Sequence, residues 1–440
     1  MINNNDLPLV LYGAGRRAPL GVSIMKNFGL SPICICDADT DKQDTEYLGL
    51  PVLSIAEAFK RYGKFNVFVT VGNELKYSAF DSLLEYGIDK NRILNYVSKE
   101  RYRGCPFLFH NLTVDSEGFL RPCDNGIGKD SSINVNTALK VSIYKNDIVD
   151  IGASLSLYID NRKRAINAIK NGEICECTGC SAIKEDLWKD KLKTVSFGFC
   201  APCNLSCIYC SNSNIGEGAA RLSWDFDVKR FINKLNEQGL LDPMSTMHWA
   251  SGEITINQKK REILDALGKY RCNIACNCVI FDAQIAKLNG MLCPSIDAGT
   301  HETYKRIKGI QAFDDVWRNI KKYIDSGLKV AVKYIFISEN SNEADIIGFI
   351  KEATKADVKN IIISAEYTKK FPIMRKPCTE EQFKLMAKMY NMAKRNGIST
   401  YINETFTPDE NNLILDYVKI FENNVGAPHT CAFSTATTIK

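Results

Sequence analysis

The stretch Phe199-Cys200-Ala201-Pro202-Cys203-Asn204-Leu205-Ser206-Cys207-Ile208-Tyr209-Cys210 concentrates more reactive side chains than any other part of the chain. Cys203, Cys207 and Cys210 follow the spacing C-x3-C-x2-C, with Tyr209 before the last of them. Thiolates are the soft ligands that iron–sulfur clusters take, and cysteines this close on one loop can wrap one cluster. Three ligands on a four-iron cube leave one iron open to a further ligand. Two alternatives recruit Cys200 as a fourth thiolate: a structural zinc site, or a ferredoxin-like cluster. Spacing alone leaves all three open.

A second group lies upstream. Cys105, twelve residues, Gly118, four residues and Cys123 precede Cys175-Glu176-Cys177-Thr178-Gly179-Cys180. Residues 113–121, with Glu117-Gly118 at the tip, read as a β-hairpin flanked by the first two cysteines. Cys105, Cys123, Cys177 and Cys180 would complete four thiolates, with Cys175 to spare. Separated cysteine pairs also build zinc ribbons, so zinc remains the alternative for this group.

These cysteines need elements to hold them. The 440 residues are 45% hydrophobic and 24% charged, the composition of a globular protein of roughly three domains. A formal charge of +5, from 56 basic and 51 acidic residues with no basic block, gives no sign of a nucleic-acid partner. No apolar run reaches the about 18 residues of a membrane span, and residues 1–10 lack a signal-peptide pattern. Seventeen bunched cysteines in a chain this long suit metal binding in a reducing cytoplasm, not a disulfide scaffold.

The predicted fold class is α/β. Residues 1–97 open with the strand Leu9-Val10-Leu11-Tyr12, the turn Gly13-Ala14-Gly15, a helix over 20–28 and a strand over 32–36 that ends at Asp37. A strand over 65–71 and a helix over 77–86 follow. This order predicts a Rossmann-like domain, in which glycines let backbone approach a phosphate and Asp37 stands near the ribose-binding position. NAD or another nucleotide is one reading of its ligand; a turn kept for packing is the other. Residues 98–190 have few long periodic stretches and form the cysteine-rich module. Over 191–372, strands at 194–199, 246–250, 273–280, 292–297, 329–337 and 360–364 alternate with helices at 225–235, 259–267, 282–288, 313–326 and 342–354. That alternation predicts a partial (β/α)6 barrel of the TIM type, with its chemistry at the C-terminal strand ends. Residues 373–440 read as a helical extension, opened by a Thr379–Gln382 capping box and carrying a further helix over 412–421.

On Cys203, Cys207 and Cys210 the chain resembles the radical S-adenosylmethionine (SAM) superfamily. The resemblance implies a [4Fe–4S] cluster whose open iron chelates the amino and carboxylate groups of SAM. Reduction then gives a 5′-deoxyadenosyl radical that takes hydrogen from a substrate. Other elements follow in the family's order. Ser251-Gly252-Glu253 resembles the Gly-Gly-Glu that receives the SAM amino group, with Ser251 replacing the first glycine. Asn277 stands where relatives often carry Thr-Asn-Gly. Ser295-Ile296-Asp297-Ala298-Gly299 is similar to the Ser-Leu-Asp-Gly whose serine contacts the SAM carboxylate; Ser295 and Asp297 share a strand face. Tyr304-Lys305-Arg306-Ile307-Lys308-Gly309 resembles a segment whose arginine helps hold that carboxylate, a role open between Arg306 and Lys308. Ile337-Ser338-Glu339-Asn340 is similar to the ribose-binding strand end. The Cys105 to Cys123 spacing resembles the opening of SPASM/twitch domains, which implies a second, auxiliary [4Fe–4S] cluster on Cys105, Cys123, Cys177 and Cys180. The module here precedes the barrel; in that family it usually follows.

The expected protein is therefore a cytoplasmic radical SAM enzyme using two [4Fe–4S] clusters, SAM and a reductant protein of flavodoxin or ferredoxin type. A nucleotide-sugar or glycan precursor is the first expected substrate, because the N-terminal segment loosely resembles domains on some sugar-modifying enzymes. A ribosomally made peptide is the second, since SPASM/twitch enzymes often modify peptides. A non-catalytic electron-transfer or metal-binding protein is the reading from another class, and it would need neither Glu253 nor Ser295. Cys276 and Cys278 read as packing residues, with hydrogen-atom donation the alternative. Cys34 and Cys36 read as buried strand residues. His248 is a candidate for substrate or SAM contact.

Overall fold

The computed structural model describes residues 7–27, 29–72, 75–96, 101–115, 118–123, 139–145, 148–178, 180, 182–198, 202–210, 226–250, 252–367, 375–403 and 406–423. The fold is mixed α/β, in two compact units: Met1–Cys200 with Glu217–Ser251 and Gln258–Asn273, and Ala201–Gly216 with Gly252–Asn257 and Ile274–Lys440.

The first unit opens with strands β1 (Leu9–Tyr12), β2 (Pro32–Cys36), β3 (Glu46–Tyr47), β4 (Leu50–Leu53) and β5 (Asn66–Val69) in the order β3-β4-β2-β1-β5. All neighbours are parallel except β3 and β4. Helices α1 (Ala18–Asn27), α2 (Ile55–Tyr62) and α3 (Lys76–Glu85) connect them. Successive side chains of a strand point to opposite faces, so β1 feeds two cores. Val10 and Tyr12 join Cys34, Cys36 and Leu83, while Leu9 and Leu11 join Met25, Ile35 and Phe68. Cys34 and Cys36 are fully buried, as strand packing required.

The unit continues through β6 (Arg101–Gly104), α4 (Pro106–His110), β7 (Asn111–Val114), β8 (Phe119–Arg121), β9 (Val141–Ser142) and the short pair β10 (Tyr144–Lys145) and β11 (Ile148–Val149). Then come α5 (Ile151–Asn171), β12 (Lys184–Leu187), β13 (Thr194–Phe197), α6 (Val228–Glu237), β14 (Thr246–Trp249), α7 (Lys260–Leu267) and the start of β15 (Arg271–Cys276). The hairpin read at 113–121 is present, Thr113 pairing with Arg121, although Glu117 lies outside the described residues. It does not stand apart. β7 pairs in parallel with β13, Asn111 opposite Thr194 and Val114 opposite Phe197, giving the order β14-β13-β7-β8-β9. One face is apolar and at most 1% exposed at Leu112, Val114, Val195, Phe197, Met247 and Trp249. The 21-residue α5 corrects the expectation of few long periodic elements over 98–190. Ser154 and Arg162 sit in its buried stripe and blur the apolar period. Arg162 belongs there because its guanidinium donates to the carbonyls of Leu108 (2.6 Å) and Phe109 (3.1 Å) and pairs with Asp190.

The second unit contains the end of β15, then β16 (Gly290–Pro294), α8 (His301–Lys308), α9 (Phe313–Asp325), β17 (Lys329–Phe336), α10 (Glu343–Lys355), β18 (Asn360–Ala365), α11 (Glu380–Arg395), β19 (Ser399–Ile402) and α12 (Pro408–Asn423). Its sheet order is β19-β18-β17-β16-β15, and β16 to β19 run parallel. Two elements were not expected from the sequence: β19, and α8, whose polar sequence HETYKRIK hides its buried edge. The helix expected over 282–288 is instead a single 3-10 turn, Ile285–Lys287, because the Asp282 carboxylate bonds the Gln284 amide at 2.8 Å. The capping box at Thr379 and Gln382 is formed as expected.

Gly299, after β16, meets Gly348 of α10 so closely that a Cβ on Gly348 would lie 2.1 Å from the Gly299 carbonyl oxygen. Asp345, one turn before Gly348, bonds the Gly299 amide (2.9 Å) and the Thr303 hydroxyl (2.9 Å), which fixes where α8 begins. Overpacking at a backbone contact cannot relax by moving a side chain. Gly348→Ala should therefore cost about 2–3 kcal/mol, read as a lower urea midpoint at unchanged slope. A shift below about 0.5 kcal/mol would show that α10 can slide away.

Candidate functional site

The loop 202–210 is stitched to the last turn of α8. Ser206 and Ile208 donate backbone bonds to the carbonyls of Lys308 (3.3 Å) and Ile307 (3.0 Å). Ile208 and Tyr209 pack on a core of Ile307, Ile335 and Ile337. Cys203 is exposed, and Cys207 and Cys210 are half-buried. Burial pushes the Cys207 thiol up to about 11 against the opposing charge of Lys308. Ligation must displace that proton, so metal loading should be favoured by rising pH. The Asn277 side chain donates to Asn204 Oδ1 (2.7 Å) and lies 3.9 Å from Cys203 Sγ. Cys200 and Ser251 lie outside the described residues.

Beneath the loop is a buried polar knot. Lys308 and Asp297, with side chains 1% and 0% exposed, are paired at 2.5 Å. Tyr209 donates its hydroxyl to the same carboxylate oxygen and accepts from Lys308 at 2.6 Å. The other Asp297 oxygen accepts the Ile335 amide at 2.7 Å. Burial, then the Asp297 charge, pushes the Tyr209 phenol up. Lys308 is thus committed inside, whereas the Arg306 side chain is 46% exposed and is steadied by the carbonyl of Glu339 (2.8 Å). Of the two, Arg306 is the one that keeps exposed surface.

Other expected contacts prove equally committed. Glu253 is fully buried; its carboxylate accepts from the Thr255 amide and hydroxyl, the Asn277 amide (2.6 Å) and the Cys276 thiol (3.3 Å). Its own amide donates to Pro202, tying the Gly252-Glu253 turn to the cysteine loop. Asn340 is fully buried: its amide group bonds the carbonyls of Asp297 and Ile335, and its oxygen accepts the Ile337 amide. Ser295 remains partly exposed. Cys276 and Cys278 are buried packing residues. In the first unit, His248 lies 3.3 Å from Asn273, and burial lowers its pKa.

The upstream cysteines converge because β6 and β12 pair antiparallel, Gly104 opposite Lys184. That ladder folds the chain back and brings Cys105, which opens α4, toward Cys180. Cys105 and Cys177 sit in one cluster with Leu108, Leu139, Ala165 and Ile169, against which Cys175 packs. The Cys177 thiol is pushed up by burial and then by Cys175, Cys105, Cys123 and Cys180, so all five thiols share one neighbourhood. Backbone turns Thr178 to Cys175 and Cys180 to Cys177 shape the loop. Among the described residues no three His, Cys, Asp or Glu side chains are drawn in tightly enough for a single metal ion.

Residues 200–353, from the cysteine loop through most of α10, match the model of the radical SAM superfamily. This is a radical SAM domain. A protein of Saccharolobus islandicus (strain M.14.25 / Kamchatka #1) named "Probable GTP 3′,8-cyclase" is 28% identical over 166 residues, 36% of this chain and 52% of that protein. The chain thus spans about half the length of the curated relatives it matches. Among solved structures, Streptococcus suis SuiB bound to S-adenosylmethionine is similar at 13% identity and a TM-score of 0.41, over 59% of each chain. A radical SAM methyltransferase from Sphaerobacter thermophilus is similar at 14% identity and a TM-score of 0.37, over 50% of this chain and 69% of that one.

Within the radical SAM domain, sequence reasoning missed the joint role of Tyr209, Asp297 and Lys308. Its one signal was the lysine two residues past Arg306, which a helix must turn to another face. Removing one partner of a buried pair strands the other charge. Lys308→Met should destabilise the iron-free protein by about 3–5 kcal/mol in urea, and adding Asp297→Asn should restore part of that loss. A single-mutant loss under about 1 kcal/mol would show that the knot does not hold the loop.

Proposed function

We propose that the chain is a SAM-cleaving radical enzyme. The carrying observation is the loop holding Cys203, Cys207 and Cys210, anchored on α8 beside the half-exposed Arg306. Three cysteines fit a [4Fe–4S] cluster with one open iron, which together with SAM would supply the 5′-deoxyadenosyl radical on reduction. In this reading Arg306 and Ser295 receive the SAM carboxylate. Glu253, Asn277 and Asn340 position the strand ends around it, and a flavodoxin- or ferredoxin-type protein delivers the electron. Anaerobically reconstituted protein should form 5′-deoxyadenosine with dithionite. The triple variant Cys203→Ala, Cys207→Ala, Cys210→Ala should form none while keeping about four irons at the second site. Continued cleavage by that variant would refute the assignment.

For the second site we propose an auxiliary [4Fe–4S] cluster on Cys105, Cys123, Cys177 and Cys180, in a twitch-like module placed before the barrel. The shared neighbourhood of those thiols supports it. Cys177→Ala with Cys180→Ala should remove one cluster, loosen the packing of 98–190 and leave SAM cleavage measurable. About one zinc with four irons in protein reconstituted without oxygen would instead support a zinc ribbon.

The proposed substrate carries a nucleotide, with a nucleotide-sugar or glycan precursor the first choice. The parallel N-terminal sheet with its glycine turn supports a Rossmann-like, nucleotide-binding-type domain, and the curated relatives are named for a reaction of GTP. That domain is read as a docking element and not as an NAD site. Asp37, at the ribose position, already accepts from the Ala14 amide at 2.6 Å and lies 3.7 Å from Lys42. Gly13 is there for packing, since a Cβ on it would lie 2.7 Å from Val71.

A further inference from the structure

Strand β17 alternates cleanly. Tyr334 packs edge-on against Phe349 of α10, ring centres 4.9 Å apart, so Ala331, Lys333 and Ile335 face the other way. Ser295 bridges to Lys333 in register, and the Ile296 amide donates to the Lys333 carbonyl at 3.1 Å. Ile362 of β18 stands opposite on the other side. The next position up this face is Asp297, held by the Ile335 amide. Lys333 therefore lies on the inner face, one layer below the Asp297–Lys308 pair. Among the described residues, neither its ammonium nor the Ser295 hydroxyl has a hydrogen-bond or ion-pair partner.

Counting charge shows what is missing. The groups acting on Lys333 are Asp297, Lys308 and Cys293. Burial pushes the Cys293 thiol up to about 11, so it contributes no charge near neutrality. Asp297 is already bonded by Lys308. Among the described residues two ammonium groups share one carboxylate, and one positive charge is left over. Burial lowers the Lys333 pKa, with Asp297 opposing, which marks an ammonium poorly served by its surroundings. Lys333 is half-buried on this face, and a cation kept there without a partner of its own is characteristic of sites that bind anions.

We infer that Lys333 is an oxyanion subsite that takes a phosphate or carboxylate group carried by the substrate. This rests on the SAM-cleaving reading proposed above. Arg306, half-exposed at the end of α8, already offers a cation to the SAM carboxylate, whereas Lys333 lies deeper. A diphosphate, as in a nucleotide-linked substrate, would match the unbalanced charge best.

The probe is inorganic pyrophosphate, added to the full chain without iron and again after anaerobic reconstitution with SAM. Pyrophosphate should raise the melting temperature of the unmodified protein in at least one of these states. Lys333→Met should raise the melting temperature without any ligand, because it removes an unpaired, half-buried charge, and should abolish the pyrophosphate response. Lys333→Arg should keep that response. SAM affinity, by equilibrium dialysis on reconstituted protein, should change by less than about twofold in Lys333→Met. No pyrophosphate response in the unmodified protein, or an undiminished one in Lys333→Met, overturns the subsite. A fall of about tenfold in SAM affinity also overturns it, by giving the anion to SAM. Failure of the unmodified protein to cleave SAM would sink the radical-enzyme reading, while the melting measurements would still decide Lys333.

Discussion

One buried carboxylate organises the radical SAM domain. Asp297 gathers donors from three segments distant in sequence: the Ile335 amide of β17, the Lys308 ammonium at the end of α8, and the Tyr209 hydroxyl of the cysteine loop. Desolvating a carboxylate and an ammonium is expensive, and their attraction offsets it only when geometry and hydrogen bonds are complete. The knot is therefore close to all-or-none. With strand, helix and loop in place every group is satisfied, and displacing any one leaves a buried charge exposed to a poor environment. That is how a short loop with little apolar surface of its own acquires a fixed shape before any metal arrives.

The upstream cysteines follow a different logic. Cys105 and Cys177 are buried among aliphatic side chains, and the surrounding thiols push Cys177 further from ionisation. Neutral thiols pack there as small apolar groups. Deprotonated together they would repel, so only a metal centre can stabilise several thiolates at once. The β6–β12 ladder and the Arg162 contacts to the carbonyls of α4 bring these thiols together, and neither device uses a cysteine. The scaffold thus gathers these thiols without help from any of them.

What the sequence made legible was spacing and period. C-x3-C-x2-C, the strand alternation of β1 and the Thr379–Gln382 capping box each act within a few residues, and each stands where expected. What stayed hidden depends on partners far along the chain. Arg162 reads as a polar interruption of α5 until the carbonyls of Leu108 and Phe109 are beside it. Lys308 and Arg306 are both cations near one helix end, and only the position of Asp297 shows which turns inward. Asp37 carries the right spacing for a ribose contact, yet the turn it follows needs an acceptor for the Ala14 amide and takes it.

The same distinction separates architecture from recognition among the polar groups of the second unit. Glu253 and Asn340 are fully buried, and their side chains are met by the chain's own donors and acceptors. Such residues fix the strand ends; a ligand could reach them only by breaking bonds already made. Cys203 and Arg306 keep exposed surface, and Ser295 and Lys333 keep unused bonding capacity. Unused capacity on a half-buried group beside an otherwise closed network is where an outside molecule can bond without breaking a contact already made. Architecture and recognition can therefore be told apart in this domain without a bound ligand, by asking of each polar atom whether the chain has already answered it.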